Sequence, residues 1–537
     1  MSILKILLLV CSVCALLIPT KHALHIFQQN RYEIKRLNEW IKENFAFNVK
    51  HSLISIIICI VACVLSIVLK NEGGSIGQIC MLVILSIVLY SNEKKQNYIK
   101  PLVFTPRVVR QCVVMAILSL VVVVVFLLND LDPCMCIVAY FLPWILLYPM
   151  SLITSPMEAM IRQSFMNDAK KILASHGNLI KIGITGSFGK TTTKNIMQAM
   201  VSEQFNSLMT PASYNTPMGI TRTIREMLKP IHQVFVCEMG ADHVGDIEEL
   251  MNFVHPSIGV VTSIGPQHLN TFGSQENIVN ESSLNTLFLC FVNEKMKMIE
   301  MLPVDGFGVL NYDNPFIRNY KIKHSIQTVT YGVKSKDTDY TVEDIHYTQT
   351  GSSFVVCYKD ERIPMETKLL GELNILNILS AVAVARHLGV EWSVIQRAVK
   401  QMKQVEHRLE LKKINGYRFI DDAFNANPTG SSMALEVLAM MPGKRIIVTP
   451  GMIDLGEKQN EINEHFGTLM KGKADIVILV GKNQTKPIYD GLKKSGFDMD
   501  QVIVLDKVKE AFTYIYTHAS IADTILLEND LPDAFNH

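Results

Sequence analysis

The stretch Ile184-Thr-Gly-Ser-Phe-Gly-Lys-Thr-Thr-Thr193 decides how the second two thirds of this chain fold. It begins within a β-branched run, Leu179–Thr185, that predicts a strand, and it leads into a pattern that predicts a helix. Gly186 and Gly189 allow main-chain N–H groups to point at phosphate oxygens, and the amino terminus of the helix adds partial positive charge. These features predict a phosphate-binding loop between a strand and a helix.

The side chains of this loop fit the same interpretation. Lys190 can reach the terminal phosphates of a nucleotide, and the hydroxyl of Thr191 is a ligand that a phosphate-bound Mg²⁺ uses. The loop departs from the strict GxxxxGK pattern, which would place a glycine at Ile184. Strand, glycine-rich turn and helix nevertheless follow in register, so ATP and Mg²⁺ are the predicted cofactors.

Beyond the loop, strand patterns alternate with helix patterns, which predicts parallel sheets with crossover helices. Polar and apolar residues alternate across Asp339–Leu370, which predicts antiparallel hairpins, and a helix is predicted over 374–388. The other predicted strands are Gln233–Met239, Ile258–Ile264, Gly306–Asn311, Arg418–Asp422, Arg445–Thr449, Ile476–Val480, Val502–Leu505 and Thr524–Leu527. We therefore expect two α/β domains, 175–405 and 408–537, with a cleft between them.

The first third of the chain is far more apolar than the rest. Of the 537 residues, 49% are hydrophobic and 19% are charged, the mean hydropathy is +0.22, and nearly all the long uncharged runs precede residue 158. A membrane span needs about 20 apolar residues. The predicted spans are 3–20, 51–69, 75–92, 111–128 and 133–157. We expect a five-span transmembrane region, 1–157, whose first run is an uncleaved anchor; a cleaved signal peptide is the alternative.

Basic residues are concentrated in two of the loops between the predicted spans. They are Lys21, Arg31, Lys35, Arg36, Lys42 and Lys50 after the first span, and Lys94, Lys95, Lys100, Arg107 and Arg110 after the third. Loops of this kind stay in the cytoplasm. The amino terminus is therefore expected outside, and the α/β domains are expected on the cytoplasmic side of the plasma membrane, where ATP is available.

Charge and cysteine usage exclude other classes of protein. Lys plus Arg (51) nearly balances Asp plus Glu (50), and no long basic run occurs, so nucleic acid is not an expected partner. Eight of the 11 cysteines lie before residue 140 among aliphatic residues, and no zinc-type spacing is present. An ATP-driven transporter is disfavoured, because no LSGGQ segment follows the loop and the spans carry almost no charge.

Eight short motifs, in family order, resemble those of the Mur ligases. They are Thr185–Thr193, Tyr214–Gly219, Glu238–Gly240, Gly265–Gly273, Asn311–Asp313, Asn374–Asn377, His407-Arg408 and Asp421–Pro428. The chain is most similar to the members that add D-alanyl-D-alanine to the UDP-muramoyl tripeptide. The resemblance implies a P-loop ATPase-type central domain, a Rossmann-like carboxyl-terminal domain, and ATP-driven amide-bond formation through an acyl phosphate. The implied partners are a UDP-linked or lipid-linked cell-envelope precursor and an amino acid or dipeptide.

The resemblance also assigns roles to individual residues. The implied catalytic residues are Lys190, Glu238, His268 and Arg408, and the implied metal ligands are Thr191, Glu238 and His268. The implied ATP contacts are Thr185, Gly186, Ser187, Gly189, Lys190, Thr191, Thr192, Asn311, Asn374, Asn377, Arg408 and Asp422, and the substrate contacts are Asn215, Asn425 and Asn427. Closure of the cleft is expected to bring Arg408 and Asp422 onto the nucleotide.

Several features depart from the family pattern. The family carries a lysine, carbamylated in use, where this chain has Ser282, and a histidine where it has Leu373. Either Glu281 or a water replaces the missing metal ligand, or the activity is changed or lost. Membrane segments take the place of the UDP-sugar domain, and Leu527-Glu-Asn-Asp-Leu-Pro-Asp533 replaces a lysine-containing glycine-serine segment. The sequence favours a membrane-anchored ligase with a changed acceptor pocket; a non-catalytic nucleotide-binding membrane protein is the alternative.

Overall fold

The structure is a computed structural model that describes residues 3–69, 71–95, 101–241, 243–265, 281–424, 427–453, 455 and 458–530. The chain divides into two compact units, with the boundary between Ser164 and Phe165. The first is helical, and the second contains two β-sheets with helices packed against them. The predicted fold class, an apolar helical region followed by two α/β domains, is confirmed.

Helices build the first unit, and all of them except the second are long and mostly apolar. Their bounds are Ile3–Gln29 (α1), Ile34–Glu43 (α2), Phe45–Leu69 (α3), Asn71–Lys95 (α4), Pro106–Leu128 (α5) and Met135–Ser175 (α6). Within the described residues, five helices are long and apolar enough to cross a membrane: all of these except α2. Apolar runs of this length form helices because a helix satisfies its own main-chain hydrogen bonds. Each predicted span lies mainly within one of the five, although α1 and α6 extend further than predicted.

Helix α2 is not revealed by a search for long apolar runs. It has 10 residues, and its apolar side chains Leu37 and Trp40 are buried while Lys35 and Lys42 are exposed. Trp40 stacks on Trp144 with ring centroids 6.4 Å apart. The amphipathic pattern of α2 therefore explains its packing within the helical unit.

The first sheet of the second unit has nine strands in the order β2-β3-β1-β4-β5-β6-β7-β8-β9. The strands are Ile180–Thr185 (β1), Ser207–Met209 (β2), Val234–Glu238 (β3), Ile258–Val261 (β4), Phe307–Asn311 (β5), Gln327–Tyr331 (β6), Tyr340–Thr348 (β7), Gly351–Tyr358 (β8) and Glu361–Thr367 (β9). Strands β1 to β6 pair in parallel. The predicted hairpins are the antiparallel pairs β7/β8 and β8/β9.

Helices cover both faces of this sheet. Their bounds are Lys190–Val201 (α7), Pro217–Met227 (α8), Asp246–Val254 (α9), Glu281–Glu300 (α10), Pro315–Arg318 (α11), Glu372–His387 (α12) and Trp392–Gln401 (α13). Met197 of α7 and Ile378 of α12 belong to one buried cluster, and Leu250 of α9 and Met296 of α10 belong to another. The carboxyl ends of β1, β3 and β4 meet at one edge, the position at which parallel α/β sheets bind ligands.

The second sheet has six strands in the order β10-β11-β15-β12-β13-β14. The strands are Glu410–Ile414 (β10), Tyr417–Asp422 (β11), Arg445–Thr449 (β12), Ile476–Val480 (β13), Val502–Leu505 (β14) and Thr524–Glu528 (β15), with helices Pro428–Ala439 (α14), Gln459–Leu469 (α15), Lys486–Ser495 (α16) and Val508–His518 (α17). Strand β10 is antiparallel to β11, and the other pairs are parallel. Strand β15 lies between β11 and β12, and its register places Glu528 beside Asp422.

Candidate nucleotide site

Two positions of the phosphate-binding loop require glycine. Gly186 has a φ of 152°, and a Cβ there would overlap the hydroxyl of Thr262. Gly189 has a φ of 82°, and a Cβ there would lie 2.6 Å from Asn377 Oδ1. Glycine adopts positive φ at little cost, and its missing side chain permits this close packing. The loop is therefore held tightly against the end of β4 and against α12.

Lys190, the first residue of α7, turns back over this loop. Its Nζ donates to Gly186 O at 2.5 Å and to Ser187 O at 3.3 Å. The loop is fixed in turn by the segment after β4, since the N–H of Phe188 donates to Ser263 Oγ at 2.8 Å. The ammonium of Lys190 thus lies at a preorganised loop, where it can bind a terminal phosphate.

Glu238, the last residue of β3, is 1% exposed and accepts hydrogen bonds on both oxygens. Oε1 accepts from Thr191 Oγ1 and from Asn215 Nδ2, each at 3.1 Å, and Oε2 accepts from Lys194 Nζ at 3.0 Å. Burial by itself would raise the pKa of Glu238, but the charges of Lys194 and Lys190 outweigh burial and hold the pKa below its ordinary value. Glu238 is therefore a carboxylate at neutral pH.

Lys194 is a member of this site that the motifs do not reveal. It lies one turn after Lys190 on α7 and is completely buried. A lysine in a helix is usually exposed, so its position alone predicts nothing about burial. Its spacing of four residues from Lys190, on the same side of the helix, is the signal that could have identified it.

The asparagines assigned to the nucleotide are held by nearby protein groups. Asn374 Nδ2 donates to Leu370 O at 2.8 Å, and Asn311 Nδ2 donates to Thr262 O at 2.6 Å. Asn377 Oδ1 accepts from Thr193 Oγ1 at 3.2 Å, whereas its buried Nδ2 has no hydrogen-bond partner among the described residues. Among the described residues, Asn377 is therefore the one of the three whose side-chain amide nitrogen makes no hydrogen bond.

The connector between the two sheets holds Arg408 in a constrained turn. His407 and Leu409, on either side of it, have φ values of 58° and 51°, in the left-handed region that residues other than glycine rarely adopt. Asp422 Oδ1 accepts from the N–H of Leu409 at 3.0 Å, and Asp421 Oδ2 lies 2.8 Å from His407 Nδ1. The start of the carboxyl-terminal sheet therefore fixes the connector, and backbone strain of this kind is often found at functional sites.

One cavity of about 230 Å³ joins the loop, the end of β3 and the connector. Of the residues assigned from the sequence, the cavity is lined by Ser187, Gly189, Lys190, Thr191, Thr192, Asn215, Glu238, Asn374, Arg408, Asp422 and Asn427. Gly186 belongs to the loop, and Thr185, Asn311 and Asn377 lie next to it, but none of these four residues lines the cavity. His268, Asn425 and the side chain of Ser282 lie outside the described residues. Phe188 and Phe424 also line the cavity, although the sequence assigns them no role.

Residues 184–385 match the family model described as the Mur ligase middle domain, and residues 407–528 match the model described as Mur ligase, glutamate ligase domain. The chain belongs to the Mur ligase family. The resemblance drawn from the eight motifs is thereby confirmed. Mur ligases are ATP-dependent carbon–nitrogen ligases, so the predicted enzyme class is confirmed at the level of the family.

Curated Mur ligases from several bacteria are similar to this chain. The UDP-N-acetylmuramoyl-tripeptide--D-alanyl-D-alanine ligase of Bacillus subtilis (strain 168) is 29% identical over 364 residues, which cover 67% of this chain and 75% of that protein. The Escherichia coli (strain K12) enzyme of the same name is 28% identical over 304 residues, or 56% of this chain and 64% of that protein. The chain thus spans less than two thirds of the Escherichia coli relative.

Solved Mur ligase structures share the fold. MurF of Thermotoga maritima in complex with ADP superposes with a TM-score of 0.59 at 23% identity, covering 69% of this chain and 80% of that chain. A crystal structure of MurF from Acinetobacter baumannii also gives a TM-score of 0.59 at 23% identity, over 70% and 78% of the two chains. The shared fold is that of the two α/β domains.

The oxygen donors of this Mur ligase site suit a magnesium ion that binds together with nucleotide phosphates. Mg²⁺ prefers oxygen ligands, commonly one or two protein groups plus phosphates and water. The Thr191 hydroxyl and the Glu238 carboxylate are in hydrogen-bond contact beside Lys190. The described part of the chain contains no group of three or more His, Cys, Asp or Glu side chains that could hold a metal. These donors fit a metal that arrives with ATP better than a preformed metal cage.

A pair of buried acids lies behind the connector. Asp422 and Glu528 are adjacent in register, and their exposed fractions are 0% and 1%. Burial, and then the negative charge of Asp422, raise the pKa of Glu528 well above its ordinary value, although Arg408 acts in the opposite direction. The folded protein therefore keeps the Glu528 proton to a higher pH than the unfolded chain does.

This pair predicts a loss of stability as the pH rises. Above about pH 4.5 the unfolded chain releases the Glu528 proton and the folded protein retains it, so the folded state binds more protons and its free energy of unfolding falls with rising pH. We expect Glu528→Gln to remove this part of the pH dependence and to raise the unfolding temperature at about pH 8. Thermal unfolding followed across about pH 5 to 9 measures both effects.

Glu294→Gln is the matched control. Glu294 is also buried, but it is paired with Lys297 at 3.0 Å and accepts from the N–H of Ile247 at 2.8 Å. Its replacement is expected to lower the unfolding temperature, because the neutral amide loses the attraction to Lys297. The same pH dependence in Glu528→Gln as in the unmodified protein would contradict the prediction.

Proposed function

We propose that this chain is a membrane-anchored, ATP-dependent ligase that forms an amide bond on a cell-envelope precursor at the cytoplasmic face of the plasma membrane. The observation that carries the proposal is a single cavity lined by Lys190, Glu238 and Arg408. The first two belong to the nine-stranded domain and Arg408 belongs to the connector into the other domain. A cavity of this kind suits a reaction that needs phosphate charge neutralised from two sides.

The proposed reaction has two steps. A carboxylate oxygen of the precursor attacks the γ-phosphorus of ATP, and the bond from that phosphorus to the β,γ-bridging oxygen breaks. ADP is released, and the precursor becomes an acyl phosphate. An amine nitrogen then attacks the acyl carbon, inorganic phosphate leaves, and the amine gives up a proton. The protein contributes mainly orientation and positive charge to both steps.

The roles of the chain's own residues follow from where they lie. Lys190 neutralises the terminal phosphates, and Arg408 adds positive charge from the connector. Thr191 and Glu238 would hold Mg²⁺, which when bound supplies positive charge to the phosphate oxygens. Asp422 would contact the ribose, and Asn215 and Asn427 would contact the substrate. The proposed bounds of the two α/β domains are 175–405 and 408–537. The Thermotoga maritima neighbour, solved with ADP, supports a nucleotide in the corresponding fold.

The nature of the precursor is also a proposal. The Bacillus subtilis and Escherichia coli relatives are named for a UDP-linked muramoyl tripeptide and for D-alanyl-D-alanine. The five apolar helices add a reason to consider a substrate held in the membrane, such as a polyprenyl-linked glycan or peptide.

The test measures phosphate release by the purified full-length protein in detergent. ATP, Mg²⁺ and a panel of UDP-linked and lipid-linked peptides are combined with single amino acids or dipeptides. We expect release that requires both a precursor and an amine, together with a product whose mass equals that of the two minus water. ATP binding without phosphate release, for every combination of precursor and amine, would contradict ligase activity. It would favour the second candidate, a regulatory nucleotide-binding protein, which is suggested by Ser282 at the position of the family's lysine.

The membrane topology gives a separate prediction. Because basic residues are concentrated in alternate loops and five helices are long enough to span, reporters fused after Glu72, Tyr98, Leu131 and Lys170 should lie outside, inside, outside and inside. Paired reporters, one active in the cytoplasm and one active outside, measure each position. An external signal at Lys170 would contradict both the topology and a catalytic site supplied with ATP.

A further inference from the structure

Lys194 is a completely buried lysine that the proposed reaction does not use. Its ammonium donates to Glu238 Oε2 at 3.0 Å and to the carbonyl of Ala212 at 2.5 Å. The side chains of Lys194 and Glu238 are each 1% exposed. A charge removed from water to this extent is costly unless its partners are well placed, so this ion pair calls for a reason beyond packing.

The first contact of Lys194 controls a carboxylate at the nucleotide loop. Lys194 donates to Oε2 of Glu238, and Oε1 of the same carboxylate accepts from Thr191 Oγ1 at 3.1 Å. When the hydroxyl of Thr191 donates its hydrogen to Glu238, the lone pairs of that hydroxyl stay free for a cation. Groups that orient a metal ligand in this way govern metal affinity almost as strongly as the ligands do.

The second contact fixes the segment that carries Asn215. Ala212 has a φ of 43°, in the left-handed region, and its carbonyl is the acceptor for Lys194. The side-chain Nδ2 of Asn215 donates to Glu238 Oε1 at 3.1 Å, and the main-chain carbonyl of Asn215 accepts from the N–H of Gly240 at 2.8 Å. Lys194 therefore bonds both to the carboxylate and to the strained turn that leads to Asn215.

We propose that Lys194 is a positioning residue that couples the nucleotide and substrate sides of the cavity. It acts through Glu238 on Thr191, and through Ala212 on Asn215. The inference rests on the proposed function only in taking Mg²⁺ with a nucleotide as the occupant of the loop. Removing the ammonium should therefore weaken Mg²⁺-dependent nucleotide binding through its effect on Glu238 and Thr191.

The experiment compares Mg²⁺ titrations of ADP binding by calorimetry, using the full-length protein in detergent. For Lys194→Met we expect the Mg²⁺ concentration at half-maximal binding to rise about tenfold or more, as for other losses of a group that orients a metal ligand. Lys194→Arg keeps a charged donor and should recover part of the affinity. Lys181→Met is the matched control, because Lys181 is a half-buried lysine at the opposite end of β1 from the loop.

A double variant covers the case in which Lys194→Met leaves Glu238 uncompensated and unfolds the protein. Lys194→Met with Glu238→Gln removes both charges, and its Mg²⁺ requirement should equal that of Glu238→Gln alone, because Lys194 acts on the metal through Glu238. Thermal unfolding without ligand reports folding for every variant. A Mg²⁺ requirement of Lys194→Met equal to that of the unmodified protein, or two independent effects in the double variant, would overturn the inference.

Failure of the inference can be told apart from failure of the proposed function. If the unmodified protein binds no ADP at any Mg²⁺ concentration, both are wrong. If it binds ADP with Mg²⁺ but forms no amide product, the ligase proposal fails, while a raised Mg²⁺ requirement in Lys194→Met still supports the positioning role.

Discussion

Replacing Lys190 by alanine is expected to lower ATP turnover by at least ~10²-fold, the loss typical of one preorganised electrostatic contact in an active site. The ammonium lies over the phosphate-binding loop, where it donates to Gly186 O at 2.5 Å and to Ser187 O at 3.3 Å. Removing it takes positive charge from the terminal phosphates without opening a core cavity. Phosphate release at saturating ATP measures the expected loss of turnover, and the unfolding temperature measures whether the variant still folds.

The chain offers a close control for that variant. Lys336 also donates from Nζ to two main-chain carbonyls, those of Val333 at 2.8 Å and Val342 at 2.6 Å, but it does not line the cavity. Lys336→Ala should therefore share any loss of stability and keep full turnover. Equal turnover in Lys190→Ala and Lys336→Ala would show that the loop lysine does not serve the reaction.

Replacing Arg408 by alanine is expected to lower turnover by about 10³-fold, at the lower end of what an arginine contributes to phosphoryl transfer. Arg408 lines the cavity close to Asp422, and the turn around it is fixed by the hydrogen bond from Leu409. Loss of its charge also removes a cation that attracts the buried acids Asp422 and Glu528, so the unfolding temperature should fall as well. Turnover is therefore measured well below the unfolding transition.

Arg418→Ala provides the comparison for the second variant. Arg418 lies on the same strand as Asp422 but at its other end, where it donates to Thr524 Oγ1 at 3.3 Å. Arg418→Ala should lower the unfolding temperature and leave turnover unchanged. If the two arginine variants lose turnover in proportion to their loss of stability, Arg408 has no role in the reaction.

The sequence predicts the parallel strands well because buried strands are continuous apolar runs with sharp ends. The buried strands β12 and β13 have the predicted bounds, and so does β14, which is at most partly buried but consists only of apolar residues. Strands β2, β6 and β10 are missed, because β2 has three residues and the other two are at most partly buried over most of their length, so their sequences resemble polar connections. A continuous apolar run is therefore what identifies a strand of this protein in its sequence, whether or not both of its faces are buried.

The same reasoning separates the predictable from the unpredictable part of the site. Lys190 and Thr191 follow from their places at the start of a helix after a glycine-rich turn, Glu238 follows from the resemblance to the Mur ligases, and all three line one cavity. Lys194 and Glu528 do not, because each is defined by a partner distant in sequence: Glu238 for the first and Asp422 for the second. Pairings of this kind depend on the order of strands in the sheets, which hydropathy does not encode.

The order of strands in the second sheet has a consequence for how this domain is made. Strand β15 is the last of the domain to be synthesised, yet it pairs with both β11 and β12 in the middle of the sheet. Until β15 has left the ribosome, the two halves of the sheet have no strand to join them, and Asp422 lacks its neighbour Glu528. The nine-stranded domain emerges first, so during translation it passes through a period with its phosphate loop formed and no completed partner domain. The cavity that Arg408 and Asp422 line is therefore expected to be complete only after β15 has paired with β11 and β12.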